Sequence, residues 1–564
     1  MKQPCDEAVI RSGTRSAPPK TKSRSWILAA TIVGSSMAFI DGTVVNVALP
    51  ALQSSLHATV VDVQWVVESY GLFLSSLVLV GGALGDSIGR RRMFLLGIGL
   101  FGAASVGCGL SSSISQLIVA RCVQGIGAAA LVPSSLAIIS ASFDEKSRGK
   151  AIGTWSGFTA ITTALGPVLG GWLIEHASWH WVFFINVPLA AAVVAISLWQ
   201  VPESRSATPQ RIDWLGALVA TTGLAGLVYG FLESALLGWS NARVVGSLIV
   251  GFIALTLFPF VEKRVVAPMV PLSLFKSPAF SGANLLTLFL YAALGVFLFL
   301  FPLNLIQIQG YSATGTGAAA LPTILLMFVL SRWSGGLVTR YGPKKPLIVG
   351  PLIAAAGFLL FALPSVGGSY WTTFFPAFVV LGFGMAVCVA PLTTVVMASV
   401  ESDRAGTASG INNAVARVAG VLAIAILGLV MVEAFKHRLL DSLSGLHLSP
   451  GILQEIRSNA VKLGGLNVPS NLPSSMSAIV RADIVQAFVF AFRLIMMVCA
   501  GLAVASAWIA LRMIPSSEVQ THEFAPIPIS LMTVNPNHYC FPVSCRIKLT
   551  SACRYGVPSG RRTS

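Results

Sequence analysis

Residues 82–92 read GALGDSIGRRR, and residues 335–345 read GGLVTRYGPKK. Both stretches follow a long apolar run, carry a glycine at the matching positions Gly89 and Gly342, and end in basic residues. The offset between these two glycines is 342 − 89 = 253 residues, and it also carries the first apolar run onto the ninth. The chain therefore resembles two related groups of six apolar runs with two further runs inserted between them. Chance similarity between two loops is the competing explanation.

The composition decides the class of protein. Of the 564 residues, 55% are hydrophobic and 10% are charged, whereas about 25% of the residues in a soluble domain are charged. A helix needs about 20 mostly apolar residues to cross a bilayer. We therefore predict an all-α polytopic membrane protein and exclude a soluble α/β fold. The fourteen predicted spans cover residues 26–49, 63–84, 93–112, 116–140, 150–174, 181–200, 214–233, 244–262, 278–303, 315–338, 346–364, 371–398, 406–434 and 485–513.

Basic residues orient these spans, because Lys and Arg in short loops stay on the cytoplasmic side. Every second break carries a basic cluster, whereas the intervening short loops hold only Arg243. This alternation predicts an even number of spans with both termini in the cytoplasm. The expected location is the bacterial inner membrane. The net charge of +16 lies in these clusters and not along one solvated face, so it does not indicate a nucleic-acid partner. The clusters are Arg90–Arg92, Lys146–Lys150, Arg205–Arg211, Lys263–Lys276 and Arg340–Lys345.

The eight cysteines are scattered without a CxxC pair, so we expect neither a disulfide framework nor a metal site. The apolar run that starts at Trp26 is too long for a signal-peptide core, so we expect the first helix to be retained. The spans and the breaks between them divide the chain into five predicted parts. These are a basic cytoplasmic segment (1–25), an N-terminal six-helix bundle (26–200), a linker with two inserted helices (201–265), a C-terminal six-helix bundle with a long outer loop at 435–484 (266–513) and a disordered cytoplasmic tail (514–564).

Six motifs resemble the major facilitator superfamily, in particular its fourteen-helix drug:proton antiporter branch of the EmrB/QacA type. The resemblance covers about residues 26–513 and both groups of runs. It implies the major facilitator fold, in which two six-helix bundles rock around a shared cavity, plus two inserted helices. The motifs are DGTVVNVALP at 41–50, GALGDSIGRRR at 82–92, RCVQGIG at 121–127, GPVLGG at 166–171, WHWVFFINVP at 179–188 and GINNAVAR at 410–417.

The resemblance implies that the loop after the second span is a gate between the two halves, formed by Gly82, Asp86, Gly89 and Arg90. Glycines allow close backbone approach, and Asp86 can accept a hydrogen bond from an arginine or from a helix N-terminus. A plain charge cluster that stops translocation is the competing reading, although topology alone requires neither Asp86 nor the glycines.

The resemblance also implies that Gly166, Pro167, Gly170 and Gly171 form an antiporter motif that keeps the central cavity closed against leak. The proline removes one helical hydrogen bond, and the glycines let a neighbouring helix pack closely. Simple packing of small residues is the alternative, and it is compatible with the same role.

Ionisable residues inside apolar spans are candidate proton carriers, because a charge there is costly and usually functional. Asp41 lies in the first span, Glu68 in the second and Arg121 in the fourth. We predict that these three couple transport to protons, a role that the resemblance implies for Arg121, with Glu233 as a weaker third carboxylate. The alternatives are a hydrogen-bonded tie between helices for Asp41, a wet interfacial position for Glu68, and a snorkelling arginine or structural ion pair for Arg121.

The second half lacks a matching carboxylate inside the membrane, since Leu294 stands where Asp41 would repeat. We therefore predict that this half supplies a largely apolar and amide surface to the substrate cavity, where an arginine can hold an anionic group or fix helices. The predicted cavity residues are Gln124, Asn284, Phe297, Asn304, Gln307, Asn412, Asn413 and Arg417.

These features together predict a proton-coupled antiporter that exports amphipathic drugs or other small toxic molecules by alternating access, and so confers antibiotic resistance. A dedicated exporter of one metabolite or natural product is the alternative. A channel or a polytopic membrane enzyme is less favoured. His176 and His180 have a spacing that can bind a metal, but they lie beside Trp179 and Trp181, where interfacial anchoring is commoner.

We expect no catalytic residue, no metal and no cofactor, with the proton gradient as the energy source. The expected partners are a small amphipathic substrate and the lipid bilayer, and the expected state is a monomer. A periplasmic adaptor protein stays open as a further partner.

Overall fold

The computed structural model describes residues 21–143, 145–205, 212–400, 405–446, 448–469 and 472–516. Within these ranges the chain is helical and holds no strand, which confirms the predicted all-α class. The predicted tail from residue 517 onward and residues 1–20 of the basic segment lie outside the described residues.

The helices of the first half are α1 Thr21–Ser55, α2 Val60–Ile88, α3 Arg90–Gly109, α4 Ile114–Ser142, α5 Glu145–His176, α6 Trp181–Phe184 and α7 Asn186–Gln200. Two further helices follow, α8 Trp214–Leu237 and α9 Ala242–Arg264. The helices of the second half are α10 Pro278–Leu303, α11 Ala313–Ala319, α12 Leu321–Gly335, α13 Leu337–Tyr341, α14 Lys344–Ala362, α15 Tyr370–Thr373, α16 Phe375–Ala398, α17 Ala405–Leu443, α18 Pro450–Asn459 and α19 Ser474–Met513.

Thirteen helical segments of the described chain are long and apolar enough to cross a membrane, judged by length and composition, when α6 is taken together with α7 and α11 with the first part of α12. The predicted fifth span lies within α5, which has 32 residues but whose side chains are only partly described. The multi-span architecture is therefore confirmed, and the count of fourteen stays a prediction.

Side-chain caps decide where several helices begin. At the start of α2, the Thr59 hydroxyl accepts a hydrogen bond from the Asp62 N–H (3.1 Å), and the Asp62 carboxylate accepts one from the Thr59 N–H (2.8 Å). Ser113 and Ser277 cap α4 and α10 through one side-chain hydrogen bond each. Each cap satisfies a backbone N–H that the first turn of a helix leaves without a partner.

The segment predicted as a long outer loop, 435–484, is largely helical. α17 continues to Leu443, since Phe435, Leu439 and Leu443 recur every fourth residue and are all buried. The helix α18 and a 3-10 helix at Ala460–Gly465 follow, and α19 begins at Ser474. The predicted outer segment therefore contains helical structure, and an apolar stripe prolongs α17 into it.

The helices form two groups. α1–α7, the N-terminal helices, pack mainly against one another through the pairs α2–α4, α3–α4 and α1–α5. α10–α19, the C-terminal helices, pack through α14–α16, α14–α19 and α10–α17. The helices α8 and α9 pair with each other, and α8 also contacts α2 and α17.

The two groups contact each other where α2 packs on α17 and where α5 packs on α11. We call these contacts the α2–α17 seam and the α5–α11 seam.

We call the two ends of the bundle the basic face and the opposite face. The basic face carries Arg90–Arg92 at the start of α3, with Lys263 and Arg264 at the end of α9. The opposite face carries Gln53 near the end of α1 and Gln307 just after α10.

Candidate functional site

Asp41 of α1 is held by two side chains of α4. The Arg121 Nη1 donates to Asp41 Oδ2, and it also donates to Gln124 Oε1 at 2.7 Å. The Gln124 Nε2 donates to Asp41 Oδ1 at 2.8 Å. Residues 121 and 124 are almost one helical turn apart, so both project from the same side of α4 toward α1. All three side chains are buried.

Two polar residues extend this network to α3 and α7. The Ser105 hydroxyl accepts from Gln124 Nε2 at 2.9 Å and from Asn186 Nδ2 at 3.3 Å, and Asn186 Nδ2 lies 3.5 Å from Asp41 Oδ1. Neither Ser105 nor Asn186 was predicted from the sequence, because neutral polar residues occur in many spans. The only signal was the position of Asn186 within the WHWVFFINVP motif.

α2 completes the surroundings of the arginine. The Arg121 Nε donates to the backbone oxygen of Val66 at 2.9 Å, and its guanidinium lies 4.2 Å from the ring centroid of Tyr70. The Tyr70 hydroxyl donates to the backbone oxygen of Ala38 at 3.0 Å. Four N-terminal helices besides α4 therefore surround one ion pair. Removing one member of such a buried pair costs about 3–5 kcal/mol, because the other charge stays buried without a partner.

Glu68 lies in the α2–α17 seam. Its side chain is fully buried, and neither carboxyl oxygen has a hydrogen-bond partner among the described residues. Three close approaches set the antiparallel register of the seam and place Glu68 opposite Ile424, which is also buried. These approaches join Gln64 to Gly428, Gly71 to Val421 and Leu79 to Gly410. α17 therefore covers the side of α2 that carries Glu68.

The antiporter motif lies where α5 crosses α1 and α11. A Cβ added to Gly171 would lie 2.4 Å from the backbone oxygen of Ala313, and one added to Gly317 would lie 2.2 Å from that of Pro167. Only glycine allows two backbones to approach so closely. The other two motif glycines face α1, where a Cβ would lie 2.3 Å from Thr43 Oγ1 at Gly166 and 2.2 Å from Val44 Cγ2 at Gly170.

The opposite face is closed beyond this crossing. The Gln307 Nε2 donates to Gln53 Oε1 at 2.8 Å, and the Gln53 Nε2 donates to the backbone oxygen of Lys462 at 3.3 Å. Glu175 accepts from the N–H and the hydroxyl of Thr314 at 2.8 and 2.6 Å, and these hydrogen bonds lower the pKa of the Glu175 carboxyl. Gln307, predicted as a cavity residue, therefore takes part in a closure between the two groups of helices.

The gate loop on the basic face contacts its own group of helices. The Arg90 Nε donates to Asp86 Oδ1 at 2.9 Å, and Arg90 also donates to the backbone oxygens of Ala137 and Ser204. Gly89 has a φ of +129°, a conformation that favours glycine. Gly82 faces Pro133 of α4.

Glu203 holds the same loop and was not predicted. Its carboxylate accepts from the backbone N–H groups of Arg91 and Arg92 at 3.1 and 3.2 Å. A carboxylate at this position caps the positive end of α3. The sequence signal was an acidic residue directly after the sixth predicted span, among the basic residues of that break.

Three of the predicted cavity residues are buried among neighbouring helices. Gln124 belongs to the Asp41 network. Phe297 is buried in an aromatic cluster, with ring centroids 4.7 Å from Phe361 and 5.2 Å from Phe301. Asn304 is also buried, in a π-helical turn after α10. All three side chains are buried, and Asn304 Oδ1 has no hydrogen-bond partner among the described residues.

The remaining predicted cavity residues lie on α10 and α17. Asn412 Nδ2 donates to Thr287 Oγ1 at 2.7 Å and to Asn284 Oδ1 at 3.2 Å, so this cluster ties α17 to α10. Asn413 is exposed and donates to the backbone oxygen of Ser409. Arg417 is half-buried.

The two histidines stack on tryptophans. The ring centroids of His176 and Trp172 are 5.0 Å apart, and those of His180 and Trp179 are 3.7 Å apart. Desolvation lowers the pKa of His180. Among the described residues, no group of three or more His, Cys, Asp or Glu side chains is arranged to hold a metal ion.

Glu233, the weaker candidate carboxylate, lies between α8 and α2. Its carboxylate accepts a hydrogen bond from Trp65 Nε1 at 2.9 Å and so joins α8 to α2.

Comparison with known proteins gives the relatives of the chain. The tetracenomycin C resistance and export protein of Streptomyces glaucescens is 32% identical over 517 residues, which cover 90% of this chain and 95% of that protein. The multidrug resistance protein Stp of Mycobacterium tuberculosis is 36% identical over 412 residues, covering 72% of this chain and 75% of that protein. The puromycin resistance protein pur8 of Streptomyces alboniger is 35% identical over 424 residues, covering 74% and 84%.

Solved structures share the fold. A bacterial homologue of the human lysosomal transporter Spinster, in an inward-facing and unoccupied conformation, matches with a TM-score of 0.59 at 18% identity, covering 87% of this chain and 98% of that chain. A D-xylose–proton symporter matches with a TM-score of 0.57 at 14% identity, covering 88% and 98%. The family model described as Major Facilitator Superfamily matches residues 31–424. The chain belongs to the Major Facilitator Superfamily.

Proposed function

We propose that this protein is a proton-coupled antiporter that exports amphipathic drugs by alternating access. The names of its relatives support the cargo, since they describe resistance to, or export of, tetracenomycin C, puromycin and multiple drugs. The finer assignment to a fourteen-helix drug:proton branch rests on the motifs and on the helix pair α8–α9 between the two groups.

Glu68 is the observation that carries the proposal. An ionised carboxylate without a partner is strongly disfavoured in an apolar environment. The α2–α17 seam encloses this side chain without a hydrogen bond among the described residues. The conformation closed at the opposite face therefore favours the protonated form of Glu68, and loss of that proton favours opening of the seam.

This linkage has the direction that drug:proton antiport requires. With the opposite face open, water reaches Glu68 and supplies a proton from outside. When the opposite face closes, the proton stays on Glu68. Release of this proton toward the basic face then favours reopening of the opposite face with a drug bound. The Asp41–Arg121 pair connects to this step, since Arg121 bonds the backbone oxygen of Val66, two residues before Glu68.

A second candidate function is dedicated export of one metabolite or natural product. The relative that covers 90% of this chain is named for the export of a single compound, tetracenomycin C. The coupling residues are the same in both candidates, so only the breadth of accepted substrates separates them.

The same proposal includes the location, the oligomeric state and the partners of the protein. The basic face lies in the cytoplasm of a bacterial cell, with both chain termini on that side of the inner membrane. The protein works as a monomer in the bilayer on small molecules, without a cofactor and without enzymatic activity. An adaptor protein that continues the export path is a further partner to test.

Transport in proteoliposomes tests the proposal. We expect drug uptake driven by a pH gradient to fall about tenfold or more in Asp41→Asn and Glu68→Gln, because neither variant can exchange the coupling proton. Exchange of labelled for unlabelled drug without a gradient should persist in Glu68→Gln, since it needs only rocking of the helices. Asp41→Asn also leaves the buried charge of Arg121 without its partner, so this variant is compared at a matched amount of folded protein. The control Glu262→Gln removes another buried carboxylate, whose Oε2 accepts from the Val270 N–H at 3.0 Å.

Gradient-driven transport at the wild-type rate in both variants would overturn the coupling assignment. A panel of unrelated drugs separates the two candidate functions. Transport of one scaffold alone would favour the dedicated exporter.

A further inference from the structure

Arg417 is a cation that the coupling network does not use. It lies on α17, in a span, and its side chain is half-buried. No acidic side chain among the described residues forms an ion pair with it. A charge at this depth is costly and normally has a partner or a function. Arg121, which is more deeply buried, has Asp41 as its partner, whereas Arg417 has no acidic partner among the described residues.

The guanidinium of Arg417 reaches across a gap between the two groups of helices. It lies 5.8 Å from the ring centroid of Phe39 on α1. In the described part of the chain, α1 and α17 do not pack against each other along their lengths. The Arg417 side chain therefore meets Phe39 between two helices that do not pack along their lengths, and it stays partly accessible there.

The register of the α2–α17 seam places Arg417 at the middle of the bundle. The contacts of Val421 with Gly71 and of Gly410 with Leu79 bracket it, so it lies opposite Ser75 of α2. Asn413 is exposed one turn away on the same helix. An amide and a guanidinium thus stand together near an aromatic ring.

The carboxylates of the membrane interior are not available to a substrate in this conformation. Asp41 is fully buried and ion-paired with Arg121. Glu68 is fully buried in the seam. The accessible fixed charge described at the centre of the protein is therefore positive, which disfavours a cationic drug and attracts an anionic one.

We propose that Arg417 binds the acidic group of the exported molecule, and that the preferred substrates are aromatic acids with a carboxylate or an acidic phenol. The guanidinium can donate two parallel hydrogen bonds to a carboxylate or one charge-assisted hydrogen bond to a phenolate, and Phe39 supplies a surface for the aromatic body. This inference rests on the proposed export function and adds the charge of its substrate.

A matched set of three compounds tests the inference. One fluorescent aromatic scaffold is used as its carboxylate, its methyl ester and its primary amine. In proteoliposomes we expect the wild-type protein to transport the carboxylate and the ester, and the amine about tenfold more slowly because of repulsion by Arg417. Arg417→Gln should lower carboxylate transport about tenfold and leave ester transport within about twofold, since only the anion loses a charged partner. Arg417→Lys should retain part of the carboxylate transport.

The control variant is Arg493→Gln in α19, whose guanidinium donates to the backbone oxygens of Leu363 and Pro364. It should not separate the carboxylate from the ester. An equal loss of both compounds in Arg417→Gln, or an amine that is the best substrate of the wild type, would overturn the inference.

Equilibrium binding in detergent keeps this test apart from the test of proton coupling. Weaker binding of the carboxylate to Arg417→Gln, with unchanged binding of the ester, supports the role of Arg417 even if no compound responds to a pH gradient. That second result would count against the antiporter function alone. Equal affinity of both proteins for the carboxylate overturns the role of Arg417.

Discussion

The two faces of the bundle are held in different ways. At the opposite face, the N-terminal and C-terminal helices touch through backbone, at Gly171 against Ala313, and through the amides of Gln53 and Gln307. At the basic face, the gate loop bonds to Ala137, Ser204 and Glu203, which all belong to the first half of the chain. The opposite face is therefore closed by contacts between the two groups of helices. At the basic face, the gate loop is held by hydrogen bonds within the N-terminal group. Rocking must break the first set of contacts and can leave the second intact.

The largest effect is expected at the glycine crossing. Gly171→Val places a branched side chain where even a Cβ would meet the Ala313 backbone at 2.4 Å. We expect transport to fall about 100-fold, because two backbones cannot move apart without opening the closure. Gly246→Val in α9 is the control, since a Cβ there meets no atom within 4 Å. Drug efflux from cells at matched expression measures both, and equal activity of the two variants would remove the distinction between the faces.

A reversible cross-link at the opposite face should have the next largest effect. Gln53→Cys with Gln307→Cys replaces a side-chain pair joined at 2.8 Å. A short thiol-reactive cross-linker should stop transport until a reductant is added, because the closed face can no longer open. The control pair is Gln53→Cys with Gln309→Cys, since Gln309 bonds Ser365 instead. Full transport by the cross-linked Gln53–Gln307 protein would contradict a moving closure.

A moderate effect is expected at the joint of the gate loop. Gly89→Ala introduces a Cβ 2.6 Å from Glu203 Oε1, in a backbone with φ of +129°. Such strain costs about 1–3 kcal/mol, so we expect a lower unfolding temperature in detergent and about tenfold slower transport. Gly99→Ala in α3 is the control, because a Cβ there has open space. An unchanged unfolding temperature in Gly89→Ala would show that the loop does not brace the N-terminal helices.

The smallest effect is expected from the charge of Glu203. Glu203→Gln keeps one oxygen that can accept from Arg91 but loses the charge at the start of α3. A charge at a helix end contributes about 0.3–1 kcal/mol, so transport should fall by about two- to fivefold. The decrease should grow at low salt, where surface charges are less screened. Glu455→Gln on the exposed side of α18 serves as the control for loss of an acidic residue.

The candidate site was predictable to the extent that it contains charges. Asp41, Glu68 and Arg121 stood out because an ionisable residue in an apolar span is rare. Ser105, Tyr70 and Asn186 did not, because neutral polar residues occur in many spans and only packing of α2, α3 and α7 around Arg121 brings them together. The cavity prediction was weakest for the same reason, since Phe297 and Gln124 are buried by neighbours that are distant in sequence.

The sequence by itself determined the all-α membrane class, the approximate spans, the motifs and the family, since apolar run length, loop charge and residue spacing are local properties. Tertiary structure decided which face is closed, that α17 covers Glu68, and that Arg417 reaches Phe39 without an acidic partner among the described residues. These features depend on how helices far apart in the chain approach one another. The register between α2 and α17 follows from close contacts at Gly71, Gly410 and Gly428, and the order of residues along either helix does not specify it.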